Sequence, residues 1–301
     1  MDLFWDLFIK LCIYILLVLS ANLTIGMANL LSMCQAAFYG IGAYIATFFL
    51  LQFDLPFVII ATLVMGLTGL FSFLVSFASV RLKGDYFVIA TMGFQLIVYS
   101  ILYNWTDVTR GSYGILNIPG IKLYGNYEIS INNNVFVYVA FIVILTVIIT
   151  LLFYHLTKSP YGRVLNAIRS DEVVVESMGR NSVIFKSLAF FISAAVAGLA
   201  GLIYATYSHY IDPTIFTLNE SILIVSALFI GGVGNTCGPI TGAGCVIFLE
   251  VLRILAFPAF LSWFSFPETK AASLCQILCG ITLLLFMYYR PQGIHGKKII
   301  K

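Results

Sequence analysis

KSPYGRVLNAIRSDEVVVESMGRNSVIFK, residues 158–186, reads like a piece of soluble helix set into a greasy chain. The 301 residues carry 29 charged side chains, and eight of them fall here: Lys158, Arg163, Arg169, Asp171, Glu172, Glu176, Arg180 and Lys186. On both sides run more than 20 residues that are almost wholly apolar. The hydrophobic fraction is 61%, the charged fraction 10% and the mean hydropathy +1.01. Soluble domains run at roughly 45–50% apolar and about 25% charged. A soluble fold of this length cannot hide so much apolar surface, so lipid must cover much of it. The expected fold is therefore all-α: a polytopic transmembrane bundle, one domain over residues 1–301. The stretch 157–186 is then a loop outside the bilayer. The net charge of +3 is too small to suggest nucleic acid.

A spanning helix needs about 20 mostly apolar residues. Nine stretches qualify: 8–30, 33–52, 56–80, 86–105, 134–156, 187–207, 219–234, 239–257 and 273–290. The second and the seventh-to-eighth pair are rich in glycine and small polar residues. Either can be broken or re-entrant, which puts the expectation at eight to ten helices. The N-terminal stretch lacks a basic leader and a small-residue cleavage site, and reads as a first span that stays attached. Alternate connections sort the basic residues. On the side of the quoted segment lie Arg81 and Lys83, five residues of 158–186, and Arg290, Lys297, Lys298 and Lys301 of the tail 290–301, eleven in all. The opposite loops, including 106–133, hold three: Arg110, Lys122 and Lys270. The positive-inside rule then puts the quoted loop and the C-terminal tail in the cytoplasm and 106–133 outside.

Within the quoted segment, Pro160 and Gly162 break the fifth helix. From Arg163 onward Val164, Leu165, Ile168, Val174, Val175 and Met178 recur at three- and four-residue spacing. This predicts one short amphipathic helix, with Asp171 and Glu172 in its middle and Gly179 at its C-cap. It either floats on the headgroups or docks its apolar face into a groove on a cytosolic partner. GRVLNAIRSDEVVVESMGRNSVIFKSLAFFISAAVAGLAGLIYA (162–205) resembles the cytoplasmic loop and following helix of permease subunits of ABC importers of the branched-chain amino acid type. The likeness continues in order through NLLSMCQAAFYGIGAYIA (29–46), RLKGDYFVIATMGFQLIVYSILYNWTDVTRGSYGI (81–115), FTLNESILIVSALFIGGVGNTCGPITGAG (216–244), LEVLR (249–253) and YRPQGI (289–294). Val173, Val174 and Val175 are bulkier than this family's usual residues at those positions.

The resemblance implies that Arg163, Ala167, Arg169, Asp171, Glu172, Glu176 and Gly179 form a coupling helix that docks on an ATPase. It also implies two ATP-binding subunits, a second homologous permease and an extracytoplasmic solute-binding protein. Related importers carry urea, short amides or sugars. Arg81, Lys83 and Asp85 read either as a second, smaller contact with the ATPase or as a solvated turn. No G-x-x-x-x-G-K-[ST] loop occurs, so ATP and Mg are expected on partner chains, and no cofactor on this one. No HExxH, GxSxG or metal-ligand cluster occurs either. A stand-alone secondary transporter would want a buried coupling residue, for which Glu250 is the one candidate. Glu250 and Arg253, one turn apart, read as a structural ion pair or as part of the translocation route. The polar and small residues Asn29, Gln35, Gly40, Gly42, Thr91, Gln95, Glu220, Gly231, Gly232 and Gly234 either line a path or pack helices closely. Two interrupted segments, one in each half, suggest internally repeated halves around a central route.

Overall fold

The computed structural model describes residues 2–53, 55–79, 82, 84–122, 128–129, 135–261, 280 and 293–294. Helix α1 (Asp2–Ala21) runs straight into a π-helical turn, Asn22–Met27. Residues 28–34 are irregular and lead to α2 (Gln35–Gln52). Then follow α3 (Phe57–Ser79), α4 (Asp85–Asn104) and the single turn α5 (Thr106–Thr109). A 3-10 turn (Gly111–Tyr113) precedes three two-residue strands: β1 (Ile115–Leu116), β2 (Ile121–Lys122) and β3 (Glu128–Ile129). Helix α6 (Val135–Lys158) enters the charged interlude, which folds as α7 (Pro160–Ser170) and α8 (Glu172–Ser177). The chain continues through α9 (Ser182–Ser208), β4 (Tyr210–Ile211), a 3-10 turn (Pro213–Ile215), α10 (Leu218–Gly231) and α11 (Cys237–Leu261).

The first eight expected spans thus fall on helices; 273–290 and most of the tail lie outside the described residues. Among the described residues, six helical stretches are long and apolar enough to cross a membrane. The helix α2 is more polar, with glutamine at each end, and in α11 the apolar part within the described side chains is Cys237–Phe248. The small strands belong to the loop 106–133 and its neighbour: β1 pairs antiparallel with β4, Ile115 opposite Ile211, and β2 with β3.

The interior is built around α9. Of its most apolar 18 residues 78% lie inside the protein, against 28% for α4 and α6. Lipid tails are as apolar as leucine, so burial from water does not favour helix–helix contact here over helix–lipid contact, and close van der Waals approach must. The run 194–201, AAVAGLAG, supplies it with six alanines and glycines among eight residues of α9. A Cβ on Gly42 of α2 would run into the backbone of Gly198, and one on Gly198 would meet the Thr68 side chain of α3. Three helices thus meet at one small-residue joint.

Contacts also fix directions. Trp5 packs edge-on against Phe136 (centroids 6.2 Å apart), so α1 and α6 start together and both run toward the interlude. Helix α9 begins beside α8 and ends at His209, whose Nδ1 lies 2.7 Å from the Ile118 carbonyl oxygen. Its 27 residues separate the interlude from the 115–118 end by about 40 Å.

Candidate functional site

Two helices begin in the depth of the bundle. Ser193 is the twelfth of α9's 27 residues, about 16 Å from its start. It accepts a hydrogen bond from Gln35 Nε2 (2.9 Å), which places the first turn of α2 at mid-depth. Helix α10, at 14 residues, rises about 21 Å, and it reaches the length of a candidate span only together with the 3-10 turn before it. Its Ser221 hydroxyl accepts from the Ala36 amide (3.0 Å) and faces Gln95 Oε1 (3.4 Å) in the middle of α4. Gln95 Nε2 in turn donates to the Phe216 carbonyl (2.8 Å), and Thr91 Oγ1 accepts from the Met33 amide (3.2 Å). Ser193 donates to the Ser20 carbonyl of α1 (2.8 Å). The N-terminal turns of α2 and α10, each the positive end of a helix dipole, therefore share one buried polar cluster. Glu220, in the first turn of α10, sits where that dipole favours a carboxylate and accepts from the Tyr14 hydroxyl (2.6 Å).

Of the ten path candidates, Gln35, Thr91, Gln95 and Glu220 come together in this region. Gln35 Oε1 is buried without a hydrogen-bond partner. Asn29 stands apart, exposed, with left-handed backbone (φ 55°). Gly40 leaves room for the Phe216 ring, Gly42 for α9, and Gly231 for the backbone of α11. Gly232 and Gly234, with φ of 106° and 90°, form the turn between α10 and α11. Sequence reading missed Ser20, Ser193 and Ser221, because a serine in an apolar helix gives no sign of which neighbour it bonds.

The charged interlude differs from the single amphipathic helix expected. It is an elbow of two helices, broken at Asp171, which takes an extended backbone and caps α8. Asp171 Oδ1 accepts from the amides of Val173 (2.9 Å) and Val174 (3.3 Å). The reason is local: Ser170–Asp171 competes with the helix for backbone donors, and an Asp is better used as an N-cap than in mid-helix. The break between α6 and α7 falls at Ser159, with Pro160 at the first helical position. Leu165, Ile168 and Val175 turn inward. Tyr161 donates to the Phe185 carbonyl (3.0 Å), and burial raises its phenol pKa, which keeps it a neutral donor.

The charges divide. Arg163, Ala167, Asp171, Glu176 and Gly179 are exposed, whereas Arg169 and Glu172 are partly covered and tied to other elements. Glu172 pairs with Lys186 of α9 at 2.6 Å, and Glu176 accepts from Ser182. Arg169 Nη1 donates to the Gly26 carbonyl at the end of the π-helical turn (2.7 Å), and it crowds Gly234. Asn22 clasps the same turn from inside: its Nδ2 donates to the Asn235 carbonyl (3.0 Å) and its Oδ1 accepts from the Gly234 amide (3.0 Å). The elbow is thus strapped to the junction of the first span and the α10–α11 turn. On its outer side Val173, Val174 and Met178 are exposed. Arg81 and Lys83 lie outside the described residues, as do the side chains of Glu250 and Arg253; Asp85 is exposed at the start of α4.

The Glu172–Lys186 pair is testable by itself. Lys186 is only 8% exposed and Glu172 30%, so solvent screens the pair in part. Glu172→Ala should cost about 2 kcal/mol by stranding the buried ammonium, and Glu172→Leu with Lys186→Met should recover most of it. Thermal unfolding of the single and double variants checks this coupling.

Helices that start at mid-depth against a polar cluster, inside a multi-pass bundle, are the architecture of a membrane transport subunit. The chain belongs to the family described as branched-chain amino acid transport system / permease component, which matches residues 3–287. It is 33% identical to the high-affinity branched-chain amino acid transport system permease protein LivM of Escherichia coli and 32% identical to LivM of Salmonella typhimurium. Each match covers 94% of this chain and 67% of the relative. The permease protein BraD of Pseudomonas aeruginosa is 23% identical over 94% of this chain and 92% of its own. No solved structure matches the chain.

Proposed function

We propose that this chain is one transmembrane subunit of an ATP-driven importer for branched-chain or related aliphatic amino acids. The observation that carries the reading is family membership along nearly the whole chain, with relatives named for that transport. The strap between the elbow and the junction at Gly26 and Gly234 supports a mechanism. The α7–α8 elbow lies in the cytoplasm, as does the C-terminus, and is gripped by ATP-binding subunits that carry ATP and Mg. Exposed Val173, Val174 and Met178 fill an apolar groove there, with Arg163 and Arg180 at its margin. When the ATPases close, the elbow moves, and Arg169 passes the motion to the junction at Gly26 and Gly234. That junction lies at the ends of α1 and α10, so the polar cluster where α2 and α10 begin opens to one side and then the other. A solute-binding protein delivers from outside, and a second homologous permease completes the route.

The test is reconstitution of the assembled complex in proteoliposomes with labelled leucine. Uptake is expected only with ATP, the ATPases and the binding protein together. Uptake by this chain alone would replace the reading with a stand-alone transporter, and uptake of labelled urea but not leucine would reassign the solute.

A further inference from the structure

Phe216 stands between the 3-10 turn and α10, and its carbonyl, which accepts from Gln95, already belongs to the buried polar cluster. Its ring is buried inside a collar of tyrosines. The ring centroids of Tyr39, Tyr44 and Tyr204 lie 5.0, 6.1 and 6.3 Å from it, and Tyr39 lies 5.7 Å from Tyr204. Gly40 of α2 completes the seat. All three atoms nearest to a Cβ added there belong to the Phe216 side chain, the closest being Cγ at 2.9 Å. Gly42 makes way for a helix backbone, whereas Gly40 makes way for one ring. Tyr204 comes eleven residues after Ser193 on α9, about 16 Å farther from the elbow. Ring and collar therefore cover the polar cluster on the side remote from the elbow. Helix α10 joins this cover to the strap: Phe216 adjoins its first turn, and Gly234, which meets Arg169, follows its last.

We propose that Phe216 is the plug that closes the translocation route on the side remote from the elbow, and that α10 is the rod that seats and unseats it. The proposal rests on the transport function given above and adds the residue that shuts one side. An apolar constriction stops a polar solute because water deserts it. With the ring over Gly40, a zwitterion in the polar cluster faces such a neck. When the elbow pulls at Gly234, α10 tilts, the Tyr14–Glu220 bond that holds its first turn to α1 yields, and the ring leaves its seat. The 3-10 turn before Phe216 lets the ring move without breaking a long helix.

The test uses the assembled importer in proteoliposomes, with labelled leucine and no ATP. The wild type should be tight. Phe216→Ala should admit leucine at least about tenfold faster while trapped calcein stays inside, and Phe216→Leu, which keeps an apolar body, should restore most of the seal. Gly40→Cys together with Phe216→Cys gives a reading that a folding defect cannot imitate. The two Cβ positions lie 3.0 Å apart, near the roughly 3.5–4.5 Å of a disulfide. Reduced, this variant should leak like Phe216→Ala; oxidised, it should pass no leucine with or without ATP, and reductant should reopen it. A tight Phe216→Ala complex that still imports leucine with ATP overturns the plug while leaving the transport reading standing. So does a cysteine pair that fails to cross-link, or one whose leucine flux ignores the cross-link. Calcein lost alongside leucine marks a broken bundle and overturns the plug as well. A wild type that imports no leucine with ATP overturns both readings.

Discussion

Arg169→Met will cut ATP-driven uptake at least tenfold while the protein still reaches the membrane in normal amounts. The guanidinium bonds a carbonyl 143 residues away in sequence, at Gly26, and lies against Gly234. A hydrogen bond to a charged donor contributes roughly 1.5–3 kcal/mol, or about 10–100-fold in an equilibrium that depends on it. Insertion does not depend on it, because Leu165, Ile168 and Val175 still anchor the elbow. Lysine should rescue only in part, since its ammonium is a differently shaped donor from the planar guanidinium whose Nη1 reaches the Gly26 carbonyl. Uptake and ATP hydrolysis measured in the same proteoliposomes separate the cases: hydrolysis should persist while transport per ATP collapses. Unchanged coupling would mean that the elbow drives the bundle through another route.

Gly42→Leu will abolish the folded protein. The new side chain would begin inside the backbone of Gly198, and neither α2 nor α9 can yield without disturbing α3 at Thr68. Overpacking costs about 1–3 kcal/mol when side chains can adjust, and more when the backbone itself must move. Gly66 is the control: on α3, nothing lies within 4 Å of the position its Cβ would take, so Gly66→Ala should be neutral or mildly stabilising. Monodispersity and thermal midpoint in detergent report both. A stable Gly42→Leu protein would refute the three-helix joint.

Much of the architecture was legible in the residues. Runs of apolar side chains locate the helices because a bilayer leaves backbone groups no partner but their own helix. Ser159–Pro160 marks the elbow's start. The break at Asp171 was also present locally, as a serine–aspartate pair before a valine run, but hydrophobic periodicity on both sides bridged it into one helix. The division of charges was not legible. Arg163 and Arg169 look alike in sequence, yet one is exposed and the other reaches Gly26.

By itself the sequence determined that this is a multi-pass helical membrane protein with a charged, amphipathic interlude in its middle, because those properties depend on each segment's own chemistry and length. Only the tertiary structure decided that α2 and α10 begin against one another, that Gln35 meets Ser193 and Ser221 faces Gln95, and that Arg169 ties the elbow to the end of the first span at Gly26. Those partners lie more than 100 residues apart, and helix crossing positions bring them together; no local propensity encodes which polar group on one helix will face which on another.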